Sequence, residues 1–320
     1  MFEPVAFAIA SALLYHLGFG FVFFLIPQQM VYVRQGRKPF LISLALGFAL
    51  VMGFELLNLL RHRESLVSSF LLIEVFAVVV LMGGLAAVNL VRLDRVRILL
   101  AASGVTALLA VPLVLYLRGN EGFNTGMRQL FDMLVEFMNR AFTQSQAAEA
   151  GEVSAVSGSE ALMRITGEVF LRSFAFSYFL LLIFTWWTGT QLGCRSRGEK
   201  ARITRLVDFK LPDTFIWPLI ASLALVLVDM LIGSKSLGFI AWNAGLILLF
   251  LYGLAGIGIL SFLFAKYNLP RRWLTMLLIC LGIMLIFTRL SLLVIILVPG
   301  LGISEIWLHQ RKQERSENSQ

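Results

Sequence analysis

Two apolar runs set the problem that this chain has to solve. The first covers Thr214 to Ile232 and the second Leu237 to Ala265, and only Gly233-Ser234-Lys235-Ser236 parts them. A run of about 20 apolar residues is what a helix needs to cross the hydrocarbon of a bilayer. Similar runs recur upstream, at Val5–Ile26, Phe40–Leu60, Leu66–Val91, Ile98–Leu117 and Val169–Leu192. A final apolar region from Trp273 to Leu308 is too long for one crossing and just long enough for two, with Thr288-Arg289 as the polar turn.

Backbone N–H and C=O groups find no water in lipid, so such segments must be helices or the strands of a closed barrel. Barrel strands read as ten-residue stretches of alternating polarity, and that pattern is missing here. With only 14% charged residues the chain is also far from a soluble composition. The expected class is therefore all-α: a polytopic integral membrane helical bundle of eight or nine spans. Residues 1–310 are read as one transmembrane domain and 311–320 as a charged, disordered tail. The first run lacks the basic flank and small-residue site of a cleaved signal, so it is read as a retained span.

The net charge of +8 is placed where a membrane protein needs it. Arg34, Arg37 and Lys38 fall in one loop, Arg92, Arg95 and Arg97 in another. Arg195 to Arg205 and Lys266, Arg271 and Arg272 complete the set. Cytoplasmic loops collect Lys and Arg. This bias places the N-terminus outside and the C-terminus in the cytoplasm of a bacterium, with nine spans in its inner membrane; eight, with the tail outside, is the alternative. No basic-aromatic module points to nucleic acid. Cys194, at the inner end of its span, is expected to meet impermeant thiol reagents from the cytoplasmic side only.

Residues 118–167 form a long polar insert on the outer side. Within it Phe123, Met127, Leu130, Phe131, Leu134, Met138 and Phe142 recur at helical spacing, with Arg128, Asp132, Glu136 and Arg140 on another stripe. This reads as an amphipathic helix over 123–142, lying at the membrane surface. The Ala-, Gly- and Ser-rich stretch 144–159 reads as a linker.

Ionisable groups inside spans are costly, so each is a functional candidate. Glu55, Asn58, Glu74, Arg172, Asp229, Asn243 and Arg289 all fall toward the outer ends of their helices under the orientation above. His16 alone falls near mid-span. These residues are read as a shared outward-facing pocket for a small polar solute or coupling ion. Glu74 is its deepest acid. No catalytic motif, no metal spacing and no nucleotide loop accompanies them, so no enzyme, cofactor or metal is expected. The alternative is a scaffold or regulator that engages cytoplasmic or membrane partner proteins through its basic loops.

The C-terminal third carries further motifs. Phe209-Lys210-Leu211-Pro212 leads into one span and Asn243 opens the next. Gly253-Leu254-Ala255 lies mid-span, and Leu301-Gly302-Ile303-Ser304-Glu305-Ile306-Trp307 precedes the tail. In these features the chain resembles the YybS-like family of multi-pass bacterial membrane proteins, with Tyr252 in place of an expected Gln and Glu305 in place of an expected Asp. The resemblance implies a layout similar to the membrane-embedded, substrate-binding subunits of energy-coupling-factor vitamin transporters. Those capture small solutes from outside and rely on separate ATPases.

Overall fold

The computed structural model describes residues 2–61, 65–92, 94–146, 158–199, 209–287 and 290–308. Every regular element among them is a helix. Contacts gather these helices into two compact units, Met1–Ala201 and Arg202–Gln320. Arg289, most of the linker and the charged tail lie outside the described residues.

The first unit opens with α1 (Phe2–His16) and α2 (Ile26–Gln35), joined through a short 3₁₀ turn at Phe19–Val22. It continues with α3 (Arg37–Arg61), α4 (Ser65–Leu90), α5 (Arg95–Gly119), α6 (Glu121–Gln146) and α7 (Ser159–Ser196). The second unit holds α8 (Ile216–Ile232), α9 (Lys235–Lys266), α10 (Arg271–Phe287) and α11 (Ser291–Leu308). Six described segments are long and apolar enough to cross a membrane: Arg37–Asn58, Ser69–Leu90, Arg95–Gly119, Ser159–Ser196, Asp213–Ile232 and Ser236–Lys266. The apolar parts of α1, α10 and α11 are shorter.

The first apolar run departs most from expectation. Instead of one crossing it forms a helical hairpin. The Arg34 guanidinium, at the end of α2, donates to the Glu3 carboxylate at 2.7 Å, and the Gln35 amide bonds the same group. Arg34 also lies over the Phe7 ring. Nearer the turn, the Ser11 hydroxyl donates to the Phe24 carbonyl at 2.6 Å. The chain therefore doubles back, and its first residues share one end of the unit with Arg34. At 15 residues, α1 is only ~22 Å long, too short to span the ~30 Å hydrocarbon layer. Local chemistry explains the reversal: Gly18 adopts φ +67°, which a side chain would resist, and Pro27 opens α2 where a missing N–H costs nothing.

The hairpin packs into the unit on two sides. Along α3, which runs parallel to α1, the Ser43 hydroxyl bonds the Pro4 carbonyl, Gly47 faces Ala8, and Glu55 faces His16. Along α7, Gly189 faces Ile26 and Gln29, and Gly193 faces Met30 and Val33. Tyr178 on α7 donates to the Val80 carbonyl of α4 at 2.8 Å and fills the space that Gly84 leaves. Cys194 is buried, so it is a poor reporter of sidedness, while Cys280 is exposed.

Within the polar stretch a helix covers Glu121–Gln146. The Asn120 side chain at its start accepts from the Phe123 N–H, and Phe123 meets Phe70 of α4 at 5.7 Å. The helix also packs on α7, which begins well inside the region read as insert.

In the second unit, α8 and α9 form a hairpin, and the final apolar region is split into α10 and α11, as its length demanded. Two glycines hold α9 against α11. A Cβ on Gly256 would strike the Val298 carbonyl, and one on Gly302 would strike that of Tyr252. Such backbone-to-backbone approach is how helices associate where no hydrophobic force separates lipid from protein. Gly253, one turn away, has open van der Waals distance to Pro299 at 3.8 Å. Gly256→Ala is expected to destabilise the purified protein by about 1–3 kcal/mol through overpacking, whereas Gly253→Ala leaves it nearly unchanged. Thermal melts of the two variants check this contrast.

Candidate functional site

The turn between α1 and α2 stands beside three of the ionisable groups singled out above. His16 Nδ1 lies 3.5 Å from Glu55 Oε1, and the His16 ring packs on Phe54 with centroids 4.1 Å apart. Glu74 of α4 lies close enough to Glu55 for their charges to interact. The Glu55 side chain is 12% exposed, and Glu74 is half-buried.

Aromatic rings close the other side of this group. Tyr15 lies beside His16, Phe21 and Phe24 at centroid distances of 5.3, 5.7 and 5.4 Å. Tyr15 is 9% exposed, and it is close enough to both carboxyls to feel their charge.

The remaining sequence candidates are placed differently. Asn58 is half-buried, one turn beyond Glu55 on α3. Arg172 is half-buried on α7 and already engaged by neighbours. Since Tyr178 stands opposite Val80 and the two helices run in the same direction, Arg172 lies near the depth of Glu74. Asp229 and Asn243 belong to the other unit. The Trp242 indole donates to Asp229 Oδ2 at 3.2 Å, and the missing side chain of Gly238 makes room for that carboxylate. The Asn243 amide donates to the Phe239 carbonyl of its own helix. The Asp229–Trp242 bond ties α8 to α9. Arg289 lies outside the described residues.

Some polar features escaped the sequence reading. Below the hairpin tip, Asn89 donates to Gln29 at 2.6 Å, Gln29 to Thr190 at 3.1 Å, and the Tyr32 hydroxyl to the Asn89 carbonyl. This chain joins α2, α4 and α7 inside the protein. Gln28, fully enclosed beside Gly47, has neither amide atom hydrogen-bonded. In the second unit, Lys210 reaches buried Glu305 at 3.9 Å, and an open groove of about 370 Å³ is lined by Lys210, Leu211, Pro212 and Asp213. That groove contains none of the acids gathered at the hairpin tip. No group of three or more His, Cys, Asp or Glu side chains suited to a metal ion occurs among the described residues.

A family model described as a predicted membrane protein, DUF2232, matches residues 5–301. The chain belongs to that family. No curated protein and no solved structure matches it. The DUF2232 match includes His16, Glu55, Asn58, Glu74, Arg172, Asp229, Asn243 and Arg289, while Glu3 and Glu305 lie outside it.

The buried polar chain predicts a specific loss. Asn89→Ala removes the donor to Gln29 and strands its carbonyl oxygen, so the variant should lose about 1–3 kcal/mol of stability. A thermal melt in detergent would show it. An unchanged melt would mean that the amide chain does not hold the hairpin in place.

Proposed function

We propose that this DUF2232 protein binds, or helps to move, a small polar solute at the tip of the α1–α2 hairpin. The observation that supports this reading is the contact of His16 with Glu55 at 3.5 Å beside a backbone reversal, with Glu74 within electrostatic range of Glu55. Broken helices with polar groups at membrane depth mark substrate and ion sites in transporters. Ionisable residues at such depth are costly and persist for a purpose.

Sidedness follows from charge. In the first unit Arg34, Arg37, Arg95 and Arg195 gather at the end that also holds Glu3. The second unit has Lys266, Arg271 and Arg272 together between α9 and α10. Basic ends face the cytoplasm. The reading therefore has eight crossings in a bacterial inner membrane, with both termini inside. The hairpin enters from the cytoplasmic side and its tip reaches the outer third. Glu74, nine residues into α4, lies ~13 Å from that helix's outer end. Solute then arrives from outside, as in the energy-coupling-factor subunits that the YybS-like resemblance brings to mind. An ATPase partner is part of that analogy, and no reaction is assigned to this chain itself.

The alternative, a scaffold working through its basic ends, predicts a different outcome. Glu74→Gln keeps the side chain's size and removes its charge. On the binding reading, it abolishes the thermal stabilisation that a responsive solute gives the wild type, and leaves membrane abundance within about twofold. Loss of folded protein in that variant would assign Glu74 a structural role, and co-purification of a cytoplasmic protein without any solute response would favour the scaffold.

A further inference from the structure

Helix α6 divides its surface into three rows, and its neighbours cover only one of them. Phe123, Met127, Phe131, Val135 and Met138 are half-buried, and Phe123 meets Phe70 of α4. A second row, Leu130, Met133, Leu134 and Phe137, is left between 45% and 71% exposed. Arg128, Gln129, Asp132, Glu136 and Arg140 make a third row, all exposed, with Arg140 paired to Glu136. At ~100° of turn per residue, the three rows stand roughly 90°, 120° and 150° apart around the helix axis. The sequence pattern puts Leu130 and Leu134 in one stripe with Phe123, Met127 and Phe131; the structure leaves those two open on a separate flank. Single exposed apolar side chains are ordinary. Four of them at i, i+3, i+4 and i+7 form one continuous strip, and such a strip marks a surface of interaction.

Position tells what covers it. The apolar spans beside α6 are Ser69–Leu90 in α4 and Arg95–Gly119 in α5. Asn120, directly after the second span, bonds Ser69 at the start of the first at 3.3 Å, and α6 begins at the next residue. The helix therefore starts at the level where both spans end, which is the boundary of the hydrocarbon. From there a helix with a row of charges does not pass through lipid. Standing up into water, it would leave its apolar row wet. Lying along the boundary satisfies both rows at once. Charge does not draw α6 to acidic headgroups: on its exposed polar side Glu121, Asp132 and Glu136 outnumber Arg128 and Arg140.

We propose that α6 lies in the boundary layer of the bilayer, with Leu130, Met133, Leu134 and Phe137 among the acyl chains and Arg128, Asp132, Glu136 and Arg140 in water. Apolar insertion holds it there, and attraction to headgroups does not. The helix is packed on α4, α5 and α7 as well, so it ties that rim of the first unit to the membrane surface. Under the sidedness argued above, the surface is that of the outer leaflet. The lipid contact goes beyond the solute-binding reading and stands or falls without it.

The test uses the full chain with Cys194 and Cys280 replaced by Ser, carrying one nitroxide-labelled cysteine and reconstituted into phosphatidylcholine vesicles. Phe137→Cys and Leu130→Cys report on the apolar row, Gln129→Cys and Asp132→Cys on the charged one. Collisions with oxygen, which concentrates in lipid, are compared with collisions with a water-soluble nickel chelate. The oxygen-to-nickel ratio at Phe137→Cys and Leu130→Cys should exceed that at Gln129→Cys and Asp132→Cys by at least about fivefold. The contrast should be the same when phosphatidylglycerol is mixed into the vesicles. Met133→Cys takes the place of Phe137→Cys if the latter does not fold. Nickel that reaches Phe137→Cys as freely as Asp132→Cys puts the strip in water and overturns the proposal. Exclusion of both reagents at Phe137→Cys overturns it too, because protein, such as a second copy of the chain, then covers the strip. A contrast that appears only with phosphatidylglycerol means that charge holds the helix, and it overturns the apolar insertion.

Discussion

The backbone's need for hydrogen bonds inside a membrane governs this fold. A chain that turns around within hydrocarbon must surround the turn with protein, because each bare N–H or C=O there costs several kcal/mol. On the proposed reading residues 17–25 make such a turn: Leu17, Val22 and Phe23 are exposed along it, and the chain beyond is held inside the unit. The Ser11 hydroxyl satisfies the Phe24 carbonyl, and Phe24, Leu25 and Ile26 are buried. Helix α3 lies along one side and α7 along the other, each parallel to the strand of the hairpin it touches. At the far end Arg34 and Gln35 close on Glu3, where the ion pair is half exposed and contributes modestly. Most of the holding is done by packing and by the buried Gln29–Asn89–Thr190 chain.

The same constraint produces the candidate site. On the proposed reading the hairpin stops short of the far side, and its tip stands beside the stretches of α3 and α4 that carry Glu55 and Glu74. His16, the last residue of α1, is delivered to Glu55 by the length of α1 and its parallel course beside α3. Tyr15 comes with it. The acids would be isolated charges on two lipid-facing helices without this third element. With it, Glu55 gains His16 as a partner, beside the rings of Phe54 and Tyr15.

Much of this was legible in the sequence, and the failure is instructive. Runs of about 20 apolar residues gave the helices of α3, α4, α5, α8 and α9 nearly to the residue, because hydrocarbon thickness leaves little choice. The final 36-residue region divided where its length required. Glu55 and Glu74 were singled out by cost alone, and they lie within electrostatic range of each other. The first run was misjudged because hydropathy does not distinguish a helix that crosses from two that fold back. The clue was Leu17-Gly18-Phe19-Gly20-Phe21 followed by Pro27, a run of helix-breaking residues in an apolar setting. Tyr15 could not have been placed without that turn. Asp229 and Asn243 were singled out for the same reason as Glu74, and in the structure Asp229 accepts from Trp242 while Asn243 donates to the Phe239 carbonyl. Burial cost flags a polar residue, and only its partners tell binding from bracing.

The account stands on the first 35 residues entering and leaving the membrane on one side. Impermeant thiol labelling of intact cells addresses this directly, with Cys194 and Cys280 replaced by Ser and a single cysteine placed at Phe2, Arg37 or Arg118. Phe2→Cys and Arg37→Cys should both stay unlabelled until the membrane is permeabilised, while Arg118→Cys labels at once. Labelling of Phe2→Cys in intact cells, with Arg37→Cys still protected, would mean that the first run crosses the bilayer and that the hairpin does not exist.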